Sequence, residues 1–176
     1  MLSPIQHFCT ELQVRLDRFS DATGKTVAWL TIAMMMITCL VVVLRYLFNT
    51  GSIALQESVT YLHGIVFLLG IAYTLKQKGH VRVDIVYQKL SLKTKSWIDL
   101  CGTLLFLFPV SIYITWVSID YVHFSWKLLE GSAEPGGLPG VFLLKALIPL
   151  MAVSLLLQGT SELLRNSLIL LAGPKQ

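Results

Sequence analysis

The side chains able to do chemistry are few and far apart. His63 is the one titratable group set well inside an apolar stretch. Its two readings are a buried hydrogen-bonding histidine and a proton or ligand site. Arg45 and Glu57 stand at the edges of two apolar stretches with eleven residues between them. They could pair across a hairpin; alternatively Arg45 snorkels to lipid phosphate and Glu57 sits near a helix N-terminus, where negative charge is favoured. His80 and Asp84 are four apart, so one helical turn would bring them to the same side. A haem would need two facing histidines; His7 and His80 fall at one end, and His63 and His123 fall towards the other, where the last two could approach. No HExxH, CxxC, GxSxG or P-loop occurs, which leaves hydrolase and nucleotide chemistry without support. Cys9, Cys39 and Cys101 have no paired spacing and read as small apolar residues. The expectation is no catalytic residue, no metal and no cofactor.

The elements that hold these residues follow from composition. Of 176 residues, 55% are hydrophobic and only 14% charged, with a mean hydropathy of +0.69. Soluble domains carry about 25% charged residues. Thr26 to Leu44 and Leu100 to Ile119 are free of charge, Ser58 to Leu75 contains only His63, and Val141 to Leu164 has Lys145 and Glu162 near its ends. A hydrocarbon core of about 30 Å needs roughly 20 helical residues, so each stretch spans once. The expected fold is an all-α membrane protein, a single integral membrane domain with spans at 27–48, 57–76, 97–121 and 141–164. The first apolar stretch is too long for a signal-peptide core and reads as a retained span. What remains outside the spans is too short for a folded catalytic head, so the chain is not expected to be an enzyme.

Charge placement gives the orientation. Lys76, Lys78, Arg82, Lys89, Lys93 and Lys95 lie between the second and third spans, with only Asp84 against them. By the positive-inside rule this loop is cytoplasmic. Four spans then place both termini in the cytoplasm. The net charge of +4 is thus a topology signal and gives no reason to expect nucleic acid as a partner.

Two shorter helices are expected outside the spans. Phe8, Leu12, Leu16 and Phe19 recur at helical spacing within 5–20, with Gln13, Arg15 and Arg18 on the other face. This reads as an amphipathic helix in the membrane interface or packed on a partner. Val83, Val86, Tyr87 and Leu90 suggest a second interfacial helix over 83–91. Asp21 or Thr23 could cap the first span and Ser91 the third. Pro109 and Pro149 should bend the third and fourth spans. The segment from Gly131 to Gly140, with Glu134, Pro135, Gly136 and Gly137 at its centre, must be turns. Ser111, Thr115 and Ser118 share one face of the third span, Ser154, Gln158 and Ser161 one face of the fourth, and Thr60, His63, Gly64, Gly70 and Thr74 one side of the second. Small and polar faces join helices in lipid, either within this bundle or to a larger membrane partner.

These motifs together resemble a known family. Arg45-Tyr46, Gln56-Glu57, Leu69-Gly70 and His80-Val81-Arg82-Val83-Asp84 follow the order found in the small membrane subunit of tripartite ATP-independent periplasmic (TRAP) transporters, the DctQ type. Leu55 replaces an aromatic often found there, and Gln56 stands where a first acid often is. The segment from Ser132 to Pro139, with Lys145, Ile148-Pro149, Gln158-Gly159 and Glu162, resembles the second half of the same family. The resemblance implies a sodium-coupled importer of an organic acid in the bacterial inner membrane. A periplasmic solute-binding protein would deliver the acid and a large membrane subunit would carry it. This chain, embedded in membrane lipid, would brace the large subunit. Its motif residues, Arg45, Glu57, Gly70, His80, Asp84, Glu134, Pro135, Gly136, Gly137, Lys145 and Gln158, would serve structure or the partner interface. The alternative is a four-helix membrane anchor of a redox complex that binds haem or quinone. The resemblance implies that the binding protein and the large subunit, rather than this chain, choose the substrate.

Overall fold

The computed structural model describes residues 4–79, 87 and 90–172. It contains four long helices: α1 (Pro4–Leu47), α2 (Ile53–Lys76), α3 (Leu92–Lys127) and α4 (Val141–Ala172). All four are long and apolar enough to cross a membrane. They alternate in direction. One end of the bundle, the hairpin end, therefore carries the α1–α2 and α3–α4 connections. The other, the terminal end, carries the start of α1, the finish of α4 and the α2–α3 connection. The expected helix at 83–91 lies almost wholly outside the described residues, as do His80 and Asp84; Tyr87, which is described, is helical.

At the start of the chain the amphipathic segment and the first span are one unbroken helix of 44 residues, about 66 Å at 1.5 Å per residue. The residues that suggested a cap have other partners. The Asp21 carboxylate meets Lys76 Nζ at 2.6 Å, and the Thr23 hydroxyl donates to the Phe19 carbonyl. Gly24 lies so close to Tyr73 that a Cβ would fall 2.3 Å from Tyr73 Cγ. Contacts with α2 thus accompany an unbroken helix through a stretch whose local sequence suggests a break. The Ser91 cap is present: its hydroxyl accepts from the Thr94 N–H at 3.2 Å.

The interior is the inverse of a soluble core. Among the described residues, Val27, Ala72 and Ala152 are the buried apolar side chains, while eleven polar ones are buried. The outside carries Trp29, Met36, Phe106 and Trp116, each more than 60% exposed. In water this arrangement would be unfavourable; in lipid, small polar residues let helices approach and bond across. Helix α4 is the hub, packing against each of the other three, and α1 and α2 also pack on each other.

On α3 the buried positions are Ser96, Thr103, Ser111, Ser118 and Ser125. Three of the four steps are seven residues and one, from Thr103 to Ser111, is eight. That step contains a π-helical turn at Thr103–Leu107. A π turn absorbs one extra residue without rotating the helix beyond it, so the buried stripe keeps facing α4. Pro109 comes directly after. It cannot donate a backbone hydrogen bond, and the Phe108 N–H reaches back to the Thr103 carbonyl. A local change of helix type thus accompanies Pro109. Pro149 lies inside α4, which continues through it.

Candidate functional site

Two polar clusters, one at each end of the bundle, tie together helices far apart in sequence. At the hairpin end the centre is Glu57, in the second turn of α2 after the Ser52 cap. Arg45 does not pair with it. Arg45 is exposed at the end of α1, and the Glu57 carboxylate is held by the α3–α4 loop. The Ser132 hydroxyl donates to Oε1, and the Leu138 N–H donates to Oε2 at 2.6 Å.

The loop is shaped to make this seat. Ser132 N–H bonds the Leu138 carbonyl at 2.9 Å, and Gly137 N–H bonds the Glu134 carbonyl at 3.0 Å. Glu134, Pro135 and Gly136 form the exposed apex. Gly136 has φ +81°, a left-handed conformation that favours glycine. Gly137 is required for a different reason. A Cβ there would lie 2.4 Å from Ser132 Oγ and 2.8 Å from Glu57 Oε1, so only glycine leaves room for both.

Beside this seat, Lys145 Nζ meets Glu130 Oε2 at 2.5 Å and lies 4.2 Å from the centre of the Tyr121 ring, within cation–π range. The Ser125 hydroxyl donates to the same carboxylate oxygen at 2.7 Å. The Lys145 ammonium and the Ser125 hydroxyl hold the Glu130 carboxyl below its ordinary range. The ring of Trp126 packs edge-on against Phe142, centroids 4.9 Å apart, closing the loop over the helix ends.

At the terminal end the centre is Asp17 of α1. Its carboxylate accepts from Ser161 Oγ at 2.6 Å, Gln158 Nε2 at 3.2 Å and Arg165 Nη2 at 2.7 Å. Arg165 also donates to Glu162 at 2.6 Å, and the Ser20 hydroxyl donates to the Gln158 side-chain oxygen at 2.6 Å. Lys76 of α2 joins through Asp21 and through the Asp17 backbone carbonyl at 3.2 Å. Three helices thus meet in one network, with Gln158 fully buried at its centre.

The expected motif residues divide between these clusters. Glu57 and Gly137, with the loop apex, form one seat; Lys145 stands beside it; Gln158 belongs to the other network. Gly70 takes part in neither. A Cβ there would meet its nearest neighbour, Val27 Cγ2, at 4.0 Å. The serine faces of α3 and α4 are turned inward, whereas Thr60 and His63 of α2 face outward. Reading the sequence alone misses Asp17, Arg165, Glu130 and the Asp21–Lys76 pair. Only Glu130 leaves a signal: it and Lys145 are opposite charges flanking a turn-rich loop.

The middle of the bundle contrasts with its ends. Apart from Lys25 and Asp120, each exposed and within about one turn of a cluster residue, the helices hold no Asp, Glu, Lys or Arg between the two clusters, and His63 lies on the outer surface. Among the described residues no group of three or more His, Cys, Asp or Glu side chains is placed to hold a metal ion.

Comparison with known protein families matches residues 34–168 to the DctQ component of tripartite ATP-independent periplasmic transporters. Neither the curated proteins nor the solved structures yield a match. The family match takes in all of α2 and α3 and parts of α1 and α4, so it covers both connecting loops of the hairpin end and the Gln158–Arg165 side of the terminal one. The chain belongs to the family of DctQ components of tripartite ATP-independent periplasmic transporters, multi-pass membrane proteins that form one part of a transport complex.

Proposed function

We propose that this chain is the small scaffold subunit of a sodium-coupled TRAP transporter, bracing the large membrane subunit while that subunit imports an organic acid delivered by a periplasmic binding protein. The observation that carries the reading is the contrast between the tied ends and the middle free of charged residues. A sodium or proton path needs ionisable or polar groups near the bilayer midplane. A brace needs helices fixed relative to one another, and the Glu57 and Asp17 clusters fix them. The chain works in the bacterial inner membrane with both termini and the 76–97 loop in the cytoplasm. The hairpin end then faces the periplasm, from which the binding protein approaches. The His80–Asp84 corner lies on the cytoplasmic side, where Asp84 caps a helix or pairs with a cation of this chain or the large subunit.

Reconstitution tests the reading. Liposomes with this chain alone should take up no organic acid under a sodium gradient. Uptake should appear when the large subunit and loaded binding protein are added, and should be lost or strongly reduced when this chain is omitted. Sodium-dependent uptake by this chain alone, abolished in His63→Ala, would refute the scaffold role. An impermeant thiol reagent in whole cells should label a cysteine placed at 132 and spare one at 88. Asp84→Ala should weaken assembly of the two membrane subunits.

A further inference from the structure

We infer that one face of α2, the stripe Gln56, Thr60, His63 and Phe67, receives a transmembrane helix of the large subunit; this rests on the scaffold reading above. Helix α2 packs against α1 and α4, and its exposed residues form one narrow line: Ile53, Gln56, Thr60, His63 and Phe67. The steps along that line are three, four, three and four residues. This is the spacing of a seam that takes a single partner helix, knobs into holes.

The chemistry of the stripe selects protein over lipid as its cover. His63 lies six residues beyond Glu57, about 9 Å along the helix at 1.5 Å per residue. A polar side chain facing hydrocarbon at that depth is costly, and a hydrogen-bonding neighbour on another helix removes the cost. Among the described residues none hydrogen-bonds the side chains of Gln56, Thr60 or His63. Phe67 stacks on the His63 ring, with centroids 6.1 Å apart, and presents it as one surface.

Beside the stripe runs an apolar groove of about 520 Å³, bounded by Gly64, Leu144 and Ile148. The outward faces of α1 and α3 carry chiefly large apolar side chains over their middle, among them Trp29 and Met36 on α1 and Phe106 and Trp116 on α3, and these suit lipid. The occupant is therefore a helix whose apolar side chains fill the groove and which offers a hydrogen-bonding side chain level with His63.

Photo-crosslinking in native membranes tests this with the assembled complex. A photoreactive residue is placed singly at 60, 63 or 67, with 36 and 116 as lipid-facing controls, and the large subunit carries a tag. Adducts with the large subunit should form from the three α2 positions at least tenfold more than from the controls. The double variant Thr60→Val, His63→Leu should cut co-purification of the large subunit at least tenfold with the thermal unfolding of this chain unchanged. Adducts from 36 or 116 but not from α2 would overturn this surface and leave the scaffold reading standing. Adducts from α2 to lipid alone, or to a second copy of this chain, would also overturn it. Failure of the unmodified chain to co-purify with any large subunit would overturn the scaffold reading, and this surface with it.

Discussion

Gly137→Ala should destabilise the protein by crowding the seat of Glu57 from the side of the loop. The added Cβ would sit 2.4 Å from Ser132 Oγ, 2.5 Å from Ser132 Cβ and 2.8 Å from Glu57 Oε1. Ordinary contact begins about 1 Å further out. Ser132 cannot easily retreat, because its backbone N–H is bonded to the Leu138 carbonyl at 2.9 Å and its hydroxyl to Glu57. Overpacking of this kind costs about 1–3 kcal/mol, and two pinned neighbours put this case near the upper end, at ~3 kcal/mol. For a chain of this length that corresponds to a fall in melting temperature of roughly 6–12 °C. Thermal unfolding in detergent micelles, followed by circular dichroism, reads it. Gly136→Ala is the control. Nothing lies within 4 Å of a Cβ there, so only the left-handed backbone is penalised, by about 1–2 kcal/mol. Adding Ser132→Gly to Gly137→Ala removes two of the three clashing atoms and should recover part of the loss. Equal effects at 136 and 137, or no recovery in the double variant, would refute the claim that space beside Glu57 is what requires the glycine.

The other end of the bundle gives a parallel case. Asp17→Asn should cost about 2 kcal/mol in the same unfolding assay, below the full cost of breaking a buried pair because solvent reaches both Asp17 and Arg165. Gly24→Ala should cost about 1–3 kcal/mol by pressing on the Tyr73 ring, while Gly70→Ala, with its nearest neighbour at 4.0 Å, should stay within about 0.5 kcal/mol. The Glu130 carboxyl is held below its unfolded value of 4.5 by Lys145 and Ser125. Its contribution is therefore complete above that pH and is lost as pH falls through the lower folded value. In Glu130→Gln, melting temperature plotted against pH should be flatter than in the unmodified chain below about pH 4.5, and the two profiles should run parallel above it.

The spans were legible because lipid imposes length and apolarity on each helix separately. The inward serine faces of α3 and α4 were legible for a similar reason: period alone places Ser111 with Ser118 and Ser154 with Gln158 and Ser161. The run Ser20-Asp21-Ala22-Thr23-Gly24 misleads because its residue types suit a cap and a break. In the folded chain each polar group is used sideways, by Gln158, Lys76 or the helix itself. The π turn left a trace, one step of eight among sevens, which shows only once the serines are known to share a face. The partner of Glu57 left none. Ser132 and Leu138 lie 75 and 81 residues away, and the nearer cation, Arg45, offers the simpler pairing. Glu57, Gly137, Lys145 and Gln158 stand out as motif residues by resemblance; that they serve two separate ties is visible only in three dimensions.

The position of α4 as hub has a consequence for biogenesis. Membrane chains emerge from the ribosome N-terminus first, at about 5–20 residues per second, so among these four helices the one that contacts all the others is made after the rest. Until Val141 and the residues after it arrive, α1 and α2 can pair through Gly24 and Tyr73. During that interval the serine row of α3 has no α4 to face and Asp17 has no Arg165. The nascent protein therefore waits, for seconds, as a helical pair plus a single helix with its polar side uncovered. A chain cut before Val141 would remain in that state, and it is the form that membrane quality control would meet.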